Sequence, residues 1–337
     1  MNSNAVDREP LQVKFHAELS DYFGIFWVNT LLVVVTLGLY YPWAKVRTTR
    51  YLYSCTELQG SRFEYHATAQ QLFKGFLIVY AGLFAYFVLS AYLPLVASLI
   101  VLIVLVLLPC LLVRSFKFKS LMTSYRGIRF QFNGTTPQAY KAALVAGLMM
   151  LLTAGLAAPW VLWRFKLFIF NKLQFGNRQF ASKGTFRHLF KVYALSSLIY
   201  AALFILMFVF LFNTSLPENP NPEAMEAAAA VAMLPVLGTI VLAYLLLFLV
   251  VKPWVQATTV NSLWNNAAIG NNRVYSSIPV GKAIWVLGKN GVLTLLTLGL
   301  YYPAAVLNWW RLRFDYLSIE MTGDFDQIIA TEQQQQG

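Results

Sequence analysis

The chain is 337 residues long, 58% hydrophobic and only 12% charged, about half the charged share of an average soluble domain. Its apolar residues come in blocks of about 20, the length that crosses a bilayer core of ~30 Å, and blocks this uniformly apolar exclude a pair of ordinary soluble domains. The formal net charge of +12 sits beside those blocks and on no recognised nucleic-acid-binding pattern, so it speaks for membrane orientation and anionic head groups, and against nucleic acid.

In chain order, residues 1–21 are polar and slightly acidic, without the pattern of a cleavable signal peptide. Seven apolar segments follow, at 22–44, 72–91, 93–113, 138–163, 189–212, 227–251 and 283–306. The second and third are joined by a short turn, Ser90 to Pro94, and the fifth and sixth by the acidic, proline-bearing stretch Asn213 to Ala230. Every other connection is basic. Cys55 and Cys110 form no CxxC pair and read as small apolar fillers. The glutamine-rich end, 327–337, reads as a disordered tail.

The segments repeat. Thr36-Leu37-Gly38-Leu39-Tyr40-Tyr41-Pro42 recurs letter for letter as Thr297 to Pro303, and Thr153 to Pro159 keeps the Thr, Gly and Pro. The register extends beyond the motif: a step of 117 carries Trp43 to Trp160, Arg47 to Arg164 and Phe63 to Phe180, and a step of 261 carries Asn29 to Asn290 and Arg50 to Arg311. Weaker copies follow Pro109 and Pro253. Each proline leads into a basic, aromatic stretch suited to an interfacial helix. Lys45, Arg47, Arg50, Arg114, Lys117, Lys119, Arg164, Lys166 and Arg311 are its cations, expected at the lipid interface. Alternating runs flanking a Gly turn then predict short β-hairpins, with Phe63, Phe130 and Phe180 as their core.

The run TLGLYYPWAKVR, followed by RY and then LxGxxFxY, resembles the YjgN family of bacterial inner-membrane proteins along nearly the whole chain. The resemblance implies a multi-pass protein of a Gram-negative cytoplasmic membrane. It carries no assigned activity and supplies no catalytic residues.

The fold class expected from these features is an all-α polytopic membrane protein with internal repeats, bearing short β-hairpins and interfacial helices at the cytoplasmic face. Its blocks are 22–135, 136–278 and a partial third, 279–326. Breaks are expected at Gly38, Pro42, Gly155, Pro159, Gly299 and Pro303. Two topologies fit. In one, all seven segments span. In the other, 22–44, 138–163 and 283–306 re-enter on the cytoplasmic side, and every basic connection then faces the cytoplasm.

Catalytic chemistry leaves little trace. His16, His66 and His188 are far apart, and no HExxH, GxSxG, GxxxxGK or GxGxxG motif is present. No enzyme activity, cofactor or metal is expected. The polar residues within apolar segments stand out, because lipid makes them costly. Asn29 and Asn290 share a repeat position, Lys289 precedes Asn290, and the middle copy has Ala146. They read either as helix-to-helix glue or as the lining of a polar cavity at a repeat interface. Two functions follow: a transporter- or channel-like protein for a small solute, ion or lipid, or a non-catalytic scaffold holding a partner protein or anionic lipid. No protein partner is indicated by name, and a homo-oligomer is compatible with the pattern.

Overall fold

The computed structural model describes residues 10–213, 222–265, 267–270 and 272–320. The tail at 327–337, much of the 213–230 connection and the end of the partial third block, 321–326, lie outside the described residues. Two compact units are formed. One takes in the chain to Gly184, Leu263–Ser277 and the chain from Val306 on, and the other Thr185–Ser262 and Ile278–Ala305.

Two short strands open the described chain, β1 (Leu11–Gln12) and β2 (Lys14–Phe15). The order helix, helix, strand, strand then recurs. It begins with α1 (Leu19–Val35), α2 (Tyr41–Ser54), β3 (Thr56–Leu58) and β4 (Ser61–Tyr65). It continues with α3 (Ala69–Tyr92), α4 (Pro94–Leu121), β5 (Thr123–Tyr125) and β6 (Ile128–Phe132), and then with α5 (Thr136–Leu152), α6 (Ala158–Lys172), β7 (Leu173–Phe175) and β8 (Arg178–Ser182). The fourth module is α7 (Phe186–Asn213), α8 (Pro222–Leu246), a π-helical turn (Leu247–Val251), α9 (Lys252–Trp264), β9 (Ala267–Ile269) and β10 (Asn272–Ser276). The chain closes with α10 (Val280–Leu296), α11 (Tyr302–Asp315) and β11 (Leu317–Glu320).

The all-α expectation is overturned here. Eleven antiparallel strands form one sheet, in the order β1-β11-β10-β9-β8-β7-β6-β5-β4-β3-β2. Its two ends, β1 and β2, are separated in the chain only by Val13, so residues 11–15 are one strand that bonds β11 with its first half and β3 with its second. The sheet closes on itself. Strands of two to five residues leave almost no period to read, and closure joins positions 300 residues apart, so neither feature stands out in a linear scan.

Register explains the core. Phe63 lies opposite Tyr125, Phe130 opposite Phe175, Phe180 opposite Ile269 and Val274 opposite Ile319. Val13 and Leu58 join the same cluster. These alternate positions share one face of their strands, and they fill the inside of the ring. The Phe63–Tyr125 and Phe130–Phe175 ring centroids are 4.9 Å apart, and the buried Tyr125 hydroxyl donates to the Leu58 carbonyl at 2.7 Å. The hairpins turn at Gln59-Gly60 and Arg126-Gly127, all four at positive φ, the conformation of a type I′ turn.

The helices fall into two lengths. Four are long and apolar enough to cross a membrane: Ala69–Tyr92, Pro94–Leu121, Phe186–Val209 and Met233–Trp264. By contrast α1, α5 and α10 have 17 residues each, about 25 Å at 1.5 Å per residue. Each of these is reversed by the same turn. Leu37 and Gly38, Ala154 and Gly155, and Leu298 and Gly299 have successive positive φ values, which the glycines adopt without a Cβ penalty. The threonine before each pair joins the two helices. Thr36 donates to Leu32 and accepts the Tyr40 N–H, Thr153 donates to Met149 and accepts Ala157, and Thr297 donates to Leu293 and accepts Tyr301, at 2.6–3.0 Å. Backbone groups at the reversal are thereby satisfied without water, as an apolar setting requires. The turn residues Leu37, Leu156 and Leu298 are 80–93% exposed.

Every helical pair starts and ends at the sheet. α1 begins four residues after β2 and α2 ends two residues before β3, and β2 and β3 are hydrogen-bonded neighbours. β8 precedes α7 and β9 follows α9 in the same way, and these strands also pair.

Candidate functional site

Among the described residues a cleft lies along α2 and the start of α3, with a volume of about 540 Å³. Tyr40, Trp43, Arg47, Arg50, Tyr51 and Thr68 line it. The α2 residues project to one side because their spacings of three and four return to one helix face. Along that face chemistry changes in order: an apolar turn at Leu37–Leu39, then Tyr40 and Trp43, then Arg47 and Arg50, then the sheet. Tyr40 and Trp43 stack at 5.9 Å and 13°, and Trp43 packs on Phe73 of α3 at 5.2 Å.

The polar end is held from below. Arg50 Nη2 donates to the Ala67 carbonyl at 3.2 Å, which leaves most of its fork of N–H donors for a ligand. Thr68, the next residue, caps α3 reciprocally with Gln71. The α3 N-terminus therefore adds its positive dipole end to the two guanidinium groups. The Tyr51 hydroxyl accepts from the Glu18 N–H and donates to the Glu18 carbonyl, both at 3.1 Å. Burial, then the neighbouring Cys55, push its pKa up to about 12, so it stays neutral at ordinary pH. Among the described residues no carboxylate lies within ion-pair distance of Arg47 or Arg50. Glu57 and Glu64 lie instead beside His16, at 3.2 Å, and His66, at 3.4 Å. Two cations, a helix N-terminus and stacked aromatics thus lie together along one cleft. Among the described residues no cluster of His, Cys, Asp or Glu could hold a metal ion.

The nine interfacial cations are all exposed, but their partners differ. Arg47 and Arg50 share the cleft. Arg311, at the same repeat position as Arg50, donates to the Ala17 carbonyl at 2.7 Å. Arg164 lies over Trp160 at 5.5 Å. Arg114, Lys117, Lys119 and Lys166 belong to α4 and α6, and Lys45 lies on the face of α2 turned away from the cleft. Pro42 and Pro303 are fully buried, and Pro159 is half-buried.

Asn29 and Asn290 are buried and work within their own helical pairs. Asn29 Nδ2 donates to the Ala44 carbonyl at 3.5 Å and to Thr48 Oγ1 at 3.4 Å, tying α1 to α2. Asn290 Nδ2 donates to the Ala305 carbonyl at 3.5 Å. Lys289 is exposed on α10. The glycines beside this pair serve packing: a Cβ added at Gly288 or Gly291 would meet Leu249 of the π-helical turn at 3.1 Å. Tyr40, Trp43, Tyr51 and Thr68 join the cleft without being among the residues expected from the sequence. The Tyr-Tyr-Pro-Trp run before the cations carried a signal for the first two, whereas Thr68 is placed only by the fold.

Comparison with known proteins sets this geometry in a family. The sequence profile described as "Bacterial protein of unknown function (DUF898)" matches residues 10–337, and the chain belongs to that family. It is similar to the "Inner membrane protein YjgN" of Escherichia coli (strain K12), 39% identical over 131 residues, and to that of Escherichia coli O157:H7, 38% identical over 131 residues. Those alignments take in 39% of this chain and only 33% of each relative, so the chain matches about a third of their length. The "Inner membrane protein YjgN" of Salmonella typhimurium (strain LT2) is 24% identical over 355 residues, covering 92% of this chain and 88% of the relative. No solved structure matches. With four helices able to cross a membrane, the chain is a multi-pass inner-membrane protein.

Proposed function

We propose that this family member is a non-catalytic membrane protein that holds anionic lipid head groups against a cytoplasmic ring of hairpins. The cleft carries this reading: Arg47 and Arg50 lie without a carboxylate beside the α3 N-terminus, and the Tyr40–Trp43 stack stands between them and the apolar turn. Aromatic rings at head-group depth with cations one to two turns nearer water fit the polarity gradient of a bilayer interface.

The repeated return to the sheet supports one bilayer placement. The four long helices cross as two hairpins. The 17-residue helices are short for a crossing and their turns are apolar, so they dip into the cytoplasmic half and return. All basic connections then share one side with the sheet, which satisfies the positive-inside rule. A transporter-like role finds less support. The ring's inside is filled by its aromatic pairs, and Asn29 and Asn290 spend their amide donors inside their own hairpins.

The test is lipid binding by the purified chain. Arg47→Gln with Arg50→Gln is expected to weaken binding of phosphatidylglycerol, relative to phosphatidylcholine, by up to about 30-fold, at roughly 1 kcal/mol per charge. Native mass spectrometry of lipid adducts or exchange between nanodiscs reads the ratio. An unchanged preference in a variant that melts like the parent would defeat the proposal.

A further inference from the structure

We propose that residues 11–18 form a strap whose docking, and with it closure of the ring, is locked by the anionic lipid in the α2–α3 cleft, a coupling that rests on the lipid reading of that cleft. The sheet itself holds the strap by few pairs. Leu11 and Gln12 lie opposite Ile319 and Ser318, and Lys14 and Phe15 opposite Glu57 and Thr56. A segment with so short a ladder opens at a lower free energy than the strands inside the sheet. Three backbone anchors then follow. The His16 N–H donates to the Cys55 carbonyl at 2.8 Å, and the Ala17 carbonyl accepts from Arg311 at 2.7 Å. The Glu18 N–H and carbonyl both engage the Tyr51 hydroxyl, at 3.1 Å.

Two of those anchors stand at the end of α2, the helix that carries the cleft cations, and Tyr51 belongs to both places. It lines the cleft, its hydroxyl holds Glu18, and its ring stacks on that of Tyr22 at 5.8 Å and 20°. Glu18 is the N-cap of α1, and Tyr22 is buried in one cluster with Ala17 of the strap. Ile25, three residues on from Tyr22 and so on the same side of α1, is the α1 residue in the cleft wall. Strap, first turns of α1 and cleft wall are thus one continuous piece of chain fastened at Tyr51. Once the strap leaves, Glu18 parts from Tyr51, the Tyr22 stack is lost and the cleft loses its α1 wall.

A lipid that pairs with Arg47 and Arg50 and packs against Tyr51 and Ile25 therefore finds its whole site only while the strap is docked. A ligand that binds one state and not the other shifts the equilibrium by a factor of one plus its concentration over its Kd. Val13, buried at the middle of the strap, belongs to the core inside the ring, so docking and closure are the same event. Undocking uncovers the edges of β3 and β11, two unpaired strand edges of the kind that recruit another strand. Occupancy of the cleft is in this way conveyed to the sheet. The far side of the ring takes no part, since β7 stands midway along the strand order from both ends of the strap.

The test is hydrogen exchange of the full chain in phosphatidylcholine nanodiscs, with and without phosphatidylglycerol, read by mass spectrometry. Retention of phosphatidylglycerol by the protein is measured on the same preparations. With the anionic lipid, amides of residues 11–18 are expected to exchange at least about tenfold more slowly, as a ligand at ten times its Kd requires. Amides of β7 and β8 should stay within about twofold, because the protection is local. Arg47→Gln with Arg50→Gln should remove the slowing. Lipid that is retained without slowing the strap overturns the coupling and leaves the lipid reading of the cleft standing, whereas a parent chain that retains none overturns both. Equal slowing at β7 and β8, or slowing that persists in the cleft variant, overturns the coupling as well. Should the variant not fold, the contrast between strap and β7–β8 in the parent decides alone.

Discussion

Val13→Asp is expected to abolish the folded ring. Val13 is 8% exposed and sits between the two half-strands that join β11 to β3, packed in the cluster that holds Leu58 and Tyr125. A carboxylate there loses water without gaining a cation, at a cost on the order of 4 kcal/mol. That is a large part of the ~5–15 kcal/mol that stabilises a typical domain. The neighbours supply the control. Gln12 and Lys14 point out of the ring and are exposed, so Gln12→Asp should stay within about 0.5 kcal/mol of the parent. Thermal unfolding in detergent, followed by tryptophan fluorescence, separates the two. A Val13→Asp protein that melts like the parent would mean that residues 11–15 do not close the sheet.

Tyr125→Ala is expected to cost nearly as much, by a different route. The side chain is 1% exposed, meets Phe63 and Phe175 at 4.9 and 6.1 Å, and its hydroxyl satisfies the Leu58 carbonyl. Removing the ring leaves a cavity worth about 3–5 kcal/mol, and the carbonyl loses its side-chain partner. Tyr125→Phe keeps the volume and loses one hydrogen bond, about 1 kcal/mol. If unfolding midpoints place the two variants together, the ring's inside is not packed as described.

Much of this was legible in the sequence, for physical reasons. Apolar blocks announce membrane helices because lipid tolerates little else. The Thr-Leu-Gly-Leu-Tyr-Tyr-Pro run marks a reversal because only glycine takes its φ easily and only the threonine hydroxyl satisfies both helix ends. The Gln59-Gly60 and Arg126-Gly127 turns marked their hairpins. The fold class differs from the all-α expectation because the sheet is built from pieces too short to show a period and is closed by a strand at the far end of the chain. One signal for that strand was present. Phe15-His16-Ala17 parallels the Tyr65-His66-Ala67 at the end of β4, and the carbonyls of Ala17 and Ala67 accept from Arg311 and Arg50 in the same way. The N-terminal strand thus stands where the second strand of a fifth hairpin would.

In the proposed topology every helical pair leaves and rejoins one membrane face, the face that bears the sheet. Cysteine accessibility from the two sides of the membrane tests it most directly, with Cys55 and Cys110 replaced by Ala and single cysteines at positions 92, 129 and 179. Arg129 and Gln179 are exposed on β6 and β8 of the one sheet, and Tyr92, 80% exposed, ends α3 at the far turn of a long hairpin. Positions 129 and 179 are expected to label from the cytoplasm and position 92 from the opposite side. Labelling of 129 and 179 from opposite sides, as seven full crossings require, would contradict it.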